Sequence, residues 1–270
     1  MVIISQIELN KVYNMDCLEG MKLIDDKSID MILADLPYQI TNCSWDTIIP
    51  FEPLWEQYER IIKDNGMIIL TASQPFTSKL VMSNIKMFKY ELIWEKEQGT
   101  GQLNAKKMPL KKHESILFFS NGKLGNIKYN PQIEKGKPYN RNDIGKVNNY
   151  KEKVYGNSKG YKAKNISTRY PTSIKKFNMA KQKGQHPTQK PVALFEYLIK
   201  TYTNEGDIVL DNVIGSGTTA VACLSTNRKF IGFEKEEKYY NKALKRIGKF
   251  DKKYYEQLPE KEKPAKLQLF

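Results

Sequence analysis

The sequence predicts an α/β fold, a doubly wound and mostly parallel sheet with a basic region inserted into it. Short apolar runs of strand length alternate with stretches of helical spacing, three of those runs end in an acid, and a polar, lysine-rich stretch splits the alternation in two. Ser28 to Asp35 (SIDMILAD) reads as a buried strand, Pro53 to Lys63 as a helix, and Gly66 to Thr71 (GMIILT) as a second strand. Tyr90 to Trp94 and Ser115 to Phe119 continue the sheet. From Asn121 to Gly184 no period supports an assignment. Order returns with a proline-started helix over Pro191 to Tyr202, a strand over Asp207 to Leu210, a helix over Thr218 to Thr226, a strand over Lys229 to Phe233 and a helix over Tyr239 to Phe250. The expected organisation is one domain made of residues 1–120 and 185–250, an insert over 121–184, and a charged tail over 251–270.

Composition removes several function classes. A chain of 270 residues, 40% hydrophobic and 27% charged, can bury enough apolar surface to offset its ordering entropy. No apolar run approaches the roughly 18 residues of a membrane span, and the start MVIISQIELNKVYN lacks the basic-then-apolar order of a secretory leader. A soluble cytoplasmic protein without a membrane partner is expected. Cys17, Cys43 and Cys223 are odd in number and far apart, which suits reduced thiols, and no CxxC exists to hold zinc. No metal site is expected. With His113 and His186 as the only histidines and no GxSxG elbow, serine-hydrolase chemistry has no support.

The net charge of +14 has a location. Lys96 to Lys190 holds 22 Lys and Arg against 5 Asp and Glu, a net +17, while the remaining 22 basic and 25 acidic residues leave −3. Tyr129, Asn130, Gln132, Tyr139, Asn140, Tyr150, Tyr155, Tyr161, Arg169 and Tyr170 interleave with the lysines, supplying stacking faces and hydrogen-bonding groups beside phosphate-binding charge. Nucleic acid is the economical partner.

Two stretches carry chemistry. In Asp207 to Thr219 (DIVLDNVIGSGTT) a strand ends at Asp211, Gly215 and Gly217 permit a tight turn, and a helix begins near Thr218. About twenty residues on, KFIGFE ends in Glu234, an acid placed to accept hydrogen bonds from ribose hydroxyls. Neither GxGxxG nor GxxxxGK[ST] is present, so a nucleoside ligand without phosphates fits better than a dinucleotide or triphosphate. In ADLPY, Asp35 follows a strand, Pro37 stiffens the turn and Tyr38 offers a ring. A carboxylate and a main-chain carbonyl there can jointly accept the two hydrogens of an exocyclic amino group while the ring receives a base.

These residues resemble the DNA amino-methyltransferases that use S-adenosylmethionine. Asp35, Leu36, Pro37 and Tyr38 (DLPY) are similar to that family's DPPY motif, DNVIGSGTT is similar to its DPFxGSGTT cofactor loop, and HPTQKP (His186 to Pro191) is similar to the segment that closes over the cofactor's methionine end. Their order, with the catalytic motif first and the glycine loop last, resembles the circularly permuted beta class, with the central insert recognising the target. The resemblance implies a Rossmann-like methyltransferase fold. It implies cofactor contacts from Asp16, Cys17, Asp35, His186, Thr188, Lys190, Asp211, Val213, Gly215, Gly217, Thr218 and Glu234. An aspartate opening the motif implies adenine N6 as the target atom, with cytosine N4 as the alternative. Leu36 departs from the motif's first proline, and Asn212 and Val213 stand where Pro and Phe are usual, so an aromatic neighbour of the cofactor is missing.

A duplex base cannot reach such a site while stacked, so double-stranded DNA with a flipped base is the expected substrate. Lys106, Lys107, Lys111, Lys112, Lys175 and Lys176 are expected phosphate contacts, and Gln132, Asn140 and Arg169 expected base readers. RNA stays open as a substrate, as do a companion restriction endonuclease and a homodimer. A metal-dependent nuclease built on Asp211 and EEK (Glu236 to Lys238) is a weaker rival, and a non-catalytic DNA-binding protein leaves DLPY, HPTQKP and GSGTT unexplained.

Overall fold

The computed structural model describes residues 3–4, 6–39, 46–142, 162–165, 167–179 and 189–257. The first strands are β1 (Ile3–Ile4), β2 (Ile7–Glu8) and β3 (Lys11–Tyr13), followed by α1 (Cys17–Lys22) and β4 (Ile29–Ala34). Then come α2 (Phe51–Ile61), β5 (Ile62–Ala72), α3 (Phe76–Ser83), β6 (Phe88–Thr100) and β7 (Lys111–Phe119). Four short strands follow: β8 (Glu134–Lys135), β9 (Tyr139–Asn142), β10 (Lys162–Asn165) and β11 (Thr168–Arg169). The chain closes with β12 (Ile174–Lys176), α4 (Val192–Tyr202), β13 (Ile208–Asp211), α5 (Thr218–Ser225), β14 (Lys229–Phe233), α6 (Glu237–Phe250) and α7 (Lys252–Gln257).

Eight strands form one sheet in the order β12-β6-β7-β5-β4-β13-β14-β3, parallel at every pairing except those of β7 with β5 and β6. Both faces are buried, and the period-two alternation of each strand divides its side chains between two cores. Met31 and Leu33 of β4 and Met67 and Ile69 of β5 face one core, where Leu194, Phe195 and Leu198 of α4 and Leu244 and Ile247 of α6 meet them. Ile32, Ala34, Ile68 and Leu70 face the other, under Leu54, Trp55, Tyr58 and Ile61 of α2. Helix α1 lies close enough that a Cβ on Gly20 would fall 2.5 Å from the ring of Phe233, so only glycine fits there.

The chain divides into two compact units, Met1–Asn130 with Ser173–Phe270, and Pro131–Thr172. Strand β12 therefore belongs with the large sheet, pairing in parallel with Ile93 to Glu95. In the second unit β8 pairs with β11 and β9 with β10, both antiparallel. The guanidinium of Arg169 lies 4.6 Å from the centre of the Tyr139 ring and donates to Asn165 Oδ1 at 2.9 Å. Among the described residues no helix is long and apolar enough to cross a membrane.

Candidate active site

Parallel strands end on one side of a sheet, where open α/β folds build their sites. Here β3 leads into Asp16, β4 into Asp35, β13 ends on Asp211, and β14 leads into Glu234. All four acids line one cavity of about 720 Å³, within the size range of small-molecule sites.

At one end lies the glycine loop. Gly215 and Gly217 have φ of +54° and +80°, a region that L side chains rarely occupy. The Gly215 N–H donates to Glu234 Oε2 at 3.0 Å, and Glu234 Oε1 accepts from the Glu236 N–H at 2.9 Å. That carboxylate thereby ties the loop to the end of β14, and burial pushes its pKa upward against these bonds. Asp211 holds the loop from beneath. Its Oδ1 accepts from the Val213 N–H at 3.1 Å and its Oδ2 from the Thr219 hydroxyl. Burial pushes its carboxyl up to about 7, with the Thr219 bond opposing. Arg246 donates to Thr218 Oγ1 at 2.9 Å and to the Ser216 carbonyl at 3.2 Å, while Ser216 donates to Gln189 Oε1 at 3.1 Å. Asp16 caps α1, accepting from the Leu18 N–H at 2.9 Å. Burial pushes the neighbouring Cys17 thiol up to about 11, so it stays a thiol.

At the other end, Asp35 Oδ1 accepts from the Tyr38 hydroxyl at 2.6 Å and from Thr71 Oγ1, and its Oδ2 is 2.7 Å from Lys190 Nζ. Lys190, only 6% exposed, also lies 3.3 Å from Glu114 Oε2, and Glu114 pairs in turn with Lys96. A ladder of alternating charge, Asp35–Lys190–Glu114–Lys96, thus lines the cavity. Burial alone would lower the Lys190 pKa, yet the two carboxylates hold it above its ordinary value. Burial likewise works to raise Glu114, and the Lys190 and Lys96 ammonium groups bring it below the usual range. Burial and the charge on Asp35 keep the Tyr38 phenol well above its ordinary pKa and therefore protonated.

Most expected site residues that fall among the described ones meet in this cavity: Asp16, Cys17, Asp35, Leu36, Pro37, Tyr38, Lys190, Asp211, Val213, Gly215, Thr218 and Glu234. Gly217 sits at the turn into α5. His186 and Thr188 lie outside the described residues. Tyr38, expected to offer a ring to the base, stacks that ring on Phe76 at 5.1 Å and donates its hydroxyl to Asp35. Lys190, expected among the cofactor contacts, lies 2.7 Å from Asp35 Oδ2. Two expected phosphate contacts are also corrected. Lys175 is 5% exposed, because alternation along β12 turns it inward toward the Tyr197 ring, and Lys111 reaches Ser73 at the cavity wall. Lys106, Lys107, Lys112 and Lys176 are exposed, as is Asn140, while Gln132 and Arg169 are half-buried. Thr71, Lys96 and Glu114 were not foreseen, for no motif contains them. Among the described residues no cluster of His, Cys, Asp and Glu is arranged to hold a metal ion.

A mostly parallel sheet with a glycine loop and an acid at adjoining strand ends, facing an Asp-x-Pro-Tyr corner, defines a Rossmann-like methyltransferase. A family model described as DNA methylase, covering N6 and N4 methyltransferases, matches residues 29–245, and the chain belongs to that family. It is 28% identical over 257 residues to the type II methyltransferase M1.MboII of Moraxella bovis, covering 88% of this chain and 96% of the relative. With M.HindIII of Haemophilus influenzae it shares 26% over 292 residues, covering 88% and 94%. Among solved structures, the complex of M1.HpyAVI with S-adenosylmethionine superposes with a TM-score of 0.59 at 26% identity, covering 87% of this chain and 98% of that one. The cytosine-N4-specific PvuII methyltransferase has the same fold, with a TM-score of 0.59 at 15% identity, over 86% and 84% of the two chains.

Proposed function

We propose that this protein transfers the methyl group of S-adenosylmethionine to the exocyclic N6 of an adenine flipped out of double-stranded DNA at a short recognition sequence. The observation that carries the proposal is the Asp35 carboxylate at the end of β4, opening into the same cavity as the glycine loop and Glu234. The cavity suits the cofactor on three counts. Its volume accommodates a nucleoside and an amino-acid tail. A Cβ built on Gly215 meets nothing nearer than the Val213 carbonyl at 3.9 Å, so the loop leaves open space beside its backbone. Seven carboxylates against four lysines line the walls, an excess of acid that matches a cofactor carrying a sulfonium and an ammonium.

In this reading Asp16 and Cys17 hold the adenine edge of the cofactor, Glu234 the ribose hydroxyls, and the loop from Asp211 to Thr218 the methionine end, aided by His186 and Thr188, while Lys190 acts on Asp35. The bound cofactor supplies an electrophilic methyl group on sulfur. The chain's own task is to make an aromatic amine nucleophilic and to aim it. The lone pair of such an amine is delocalised into the ring, and acceptors for its two hydrogens, the Asp35 carboxylate and the carbonyl of Leu36 or Pro37, help localise it. Lys190 and the Tyr38 and Thr71 hydroxyls fix the carboxylate in one orientation, which is the positional part of the rate enhancement. Phosphate contacts come from exposed lysines, Lys106, Lys107, Lys112 and Lys176, and base reading from the second unit with Gln132, Asn140 and Arg169. Type II relatives make a companion restriction endonuclease an expected partner.

The test is to incubate the protein with unmethylated genomic DNA and isotopically labelled cofactor, then resolve the nucleosides by mass spectrometry. Label in N6-methyl-2′-deoxyadenosine supports the reading. Label in N4-methyl-2′-deoxycytidine, or label only in a parallel incubation with total RNA, overturns it in favour of those substrates.

A further inference from the structure

We propose that the tip joining β6 to β7, residues 101–110, enters the DNA duplex beside the target base, with Leu103 and Met108 filling the space the flipped nucleotide leaves. The inference rests on the reading of the chain as a methyltransferase acting on an unstacked base.

One exposed leucine is ordinary, since much of any protein surface is apolar. Here Leu103 is fully exposed, Met108 60% exposed and Leu110 42% exposed, three large apolar side chains within eight residues. Their position matters as much as their number. Thr100 and Lys111, paired across the hairpin, are the last residues before the tip on either side, and both line the cavity that holds Asp35. The tip therefore springs from the rim of the pocket that a base must enter.

The tip is wound into shape before any partner arrives. Asn104 N–H donates to the Gly101 carbonyl at 2.9 Å, Ala105 to Gln102 at 3.1 Å and Lys107 to Asn104 at 2.8 Å, while the Gln102 amide donates to the Gly99 carbonyl at 2.7 Å. Leu110 clamps the base, since a Cβ on Gly99 would fall 2.7 Å from its Cβ. Ordering of this kind lowers the entropy lost on binding.

Charge selects the partner. Gln98 to Lys112 contains no acid, and of its lysines Lys106, Lys107 and Lys112 are exposed, Lys106 and Lys107 lying between Leu103 and Met108. A protein partner's groove would suit the leucine and methionine but gives no reason for this density of positive charge. A duplex suits both, with phosphates for the lysines and, between base steps, an apolar slot that a wedge occupies as the target swings out.

The test uses the full-length protein and two oligonucleotide duplexes carrying the motif found methylated in vivo. One is fully paired, and in the other the target base lies opposite an abasic site, where extrusion is already easy. The double variant Leu103→Ser, Met108→Ser should lose roughly tenfold or more of its methylation rate on the paired duplex and stay within about twofold of wild type on the abasic one. Its affinity for S-adenosylmethionine should be unchanged. Equal loss on both duplexes, no loss on either, or weakened cofactor binding overturns the proposal. A wild-type protein that methylates neither duplex overturns the functional reading beneath it.

Discussion

At Asp35 two hydroxyls and an ammonium converge on one carboxylate, and the ammonium is itself shared with a second buried acid. Lys190 is a positioning residue in this account, because it holds the carboxylate that holds the substrate. Lys190→Met leaves Asp35 and Glu114 without the cation between them, and breaking a buried pair from one side costs about 3–5 kcal/mol of stability. Turnover should fall by roughly a hundredfold, since misplacing a catalytic group by about an ångström has that effect, while the KM for S-adenosylmethionine moves little. Steady-state kinetics separate the two parameters, and a loss confined to KM would return Lys190 to the cofactor. Asp211 carries a pH dependence. Its folded pKa of about 7 lies above the ordinary carboxylate value, so its contribution to stability is complete below that ordinary range and is lost as pH rises through 7. Denaturant unfolding should give lower stability at pH 8 than at pH 5, with a component that Asp211→Asn removes. An identical pH difference in the variant would contradict the assignment.

Among the elements, the turn from β13 into α5 depends on two glycines at positive φ. Gly217 has φ +80°, and a Cβ there would sit 3.3 Å from the Ala243 Cβ. Gly217→Val is expected to abolish cofactor binding by titration calorimetry and to lower the melting temperature. Retention of near-normal affinity would show that the loop does not form the cofactor's wall. In the core, Phe118 is fully buried and stacks on Tyr90 at 4.6 Å, so Phe118→Ala should cost about 3–5 kcal/mol in chemical denaturation. A cost well below that range would mean the sheet edge repacks. The buried strands were legible as apolar runs: Lys229 to Phe233 is strand over the expected range, and β4, β5 and β13 lie within a few residues of theirs. What escaped has physical reasons. The second half of β6 reads Glu95, Lys96, Glu97, polar residues without a strand signal, because that end of the strand carries the charge ladder. Lys96 and Glu114 are far apart in sequence and meet only through the register that sets Trp94 opposite Glu114. Helices α1 and α3, of six and eight residues, are too short to show a period.

For the molecule as a whole, basicity confined to one stretch is an argument about binding rather than folding. A stretch with net +17 in a chain that is otherwise −3 predicts affinity for DNA that falls steeply with salt. Replacing Lys106 and Lys107 by alanine should reduce the slope of log affinity against log salt by roughly two, near one for each phosphate left without its lysine. An unchanged slope would leave them as surface charge. The second unit was the least legible part, since its strands pair polar residues such as Lys164 with Asn140 and Asn165 with Tyr139, which leaves no hydrophobic alternation to read. The most direct test of the central claim is expression in a bacterial host lacking DNA methylation, followed by sequencing that distinguishes N6-methyladenine from N4-methylcytosine. The predicted result is N6-methyladenine confined to one short motif, and none from an Asp35→Ala protein made at equal level. Methylcytosine in the motif, or undiminished methyladenine from the variant, would contradict it.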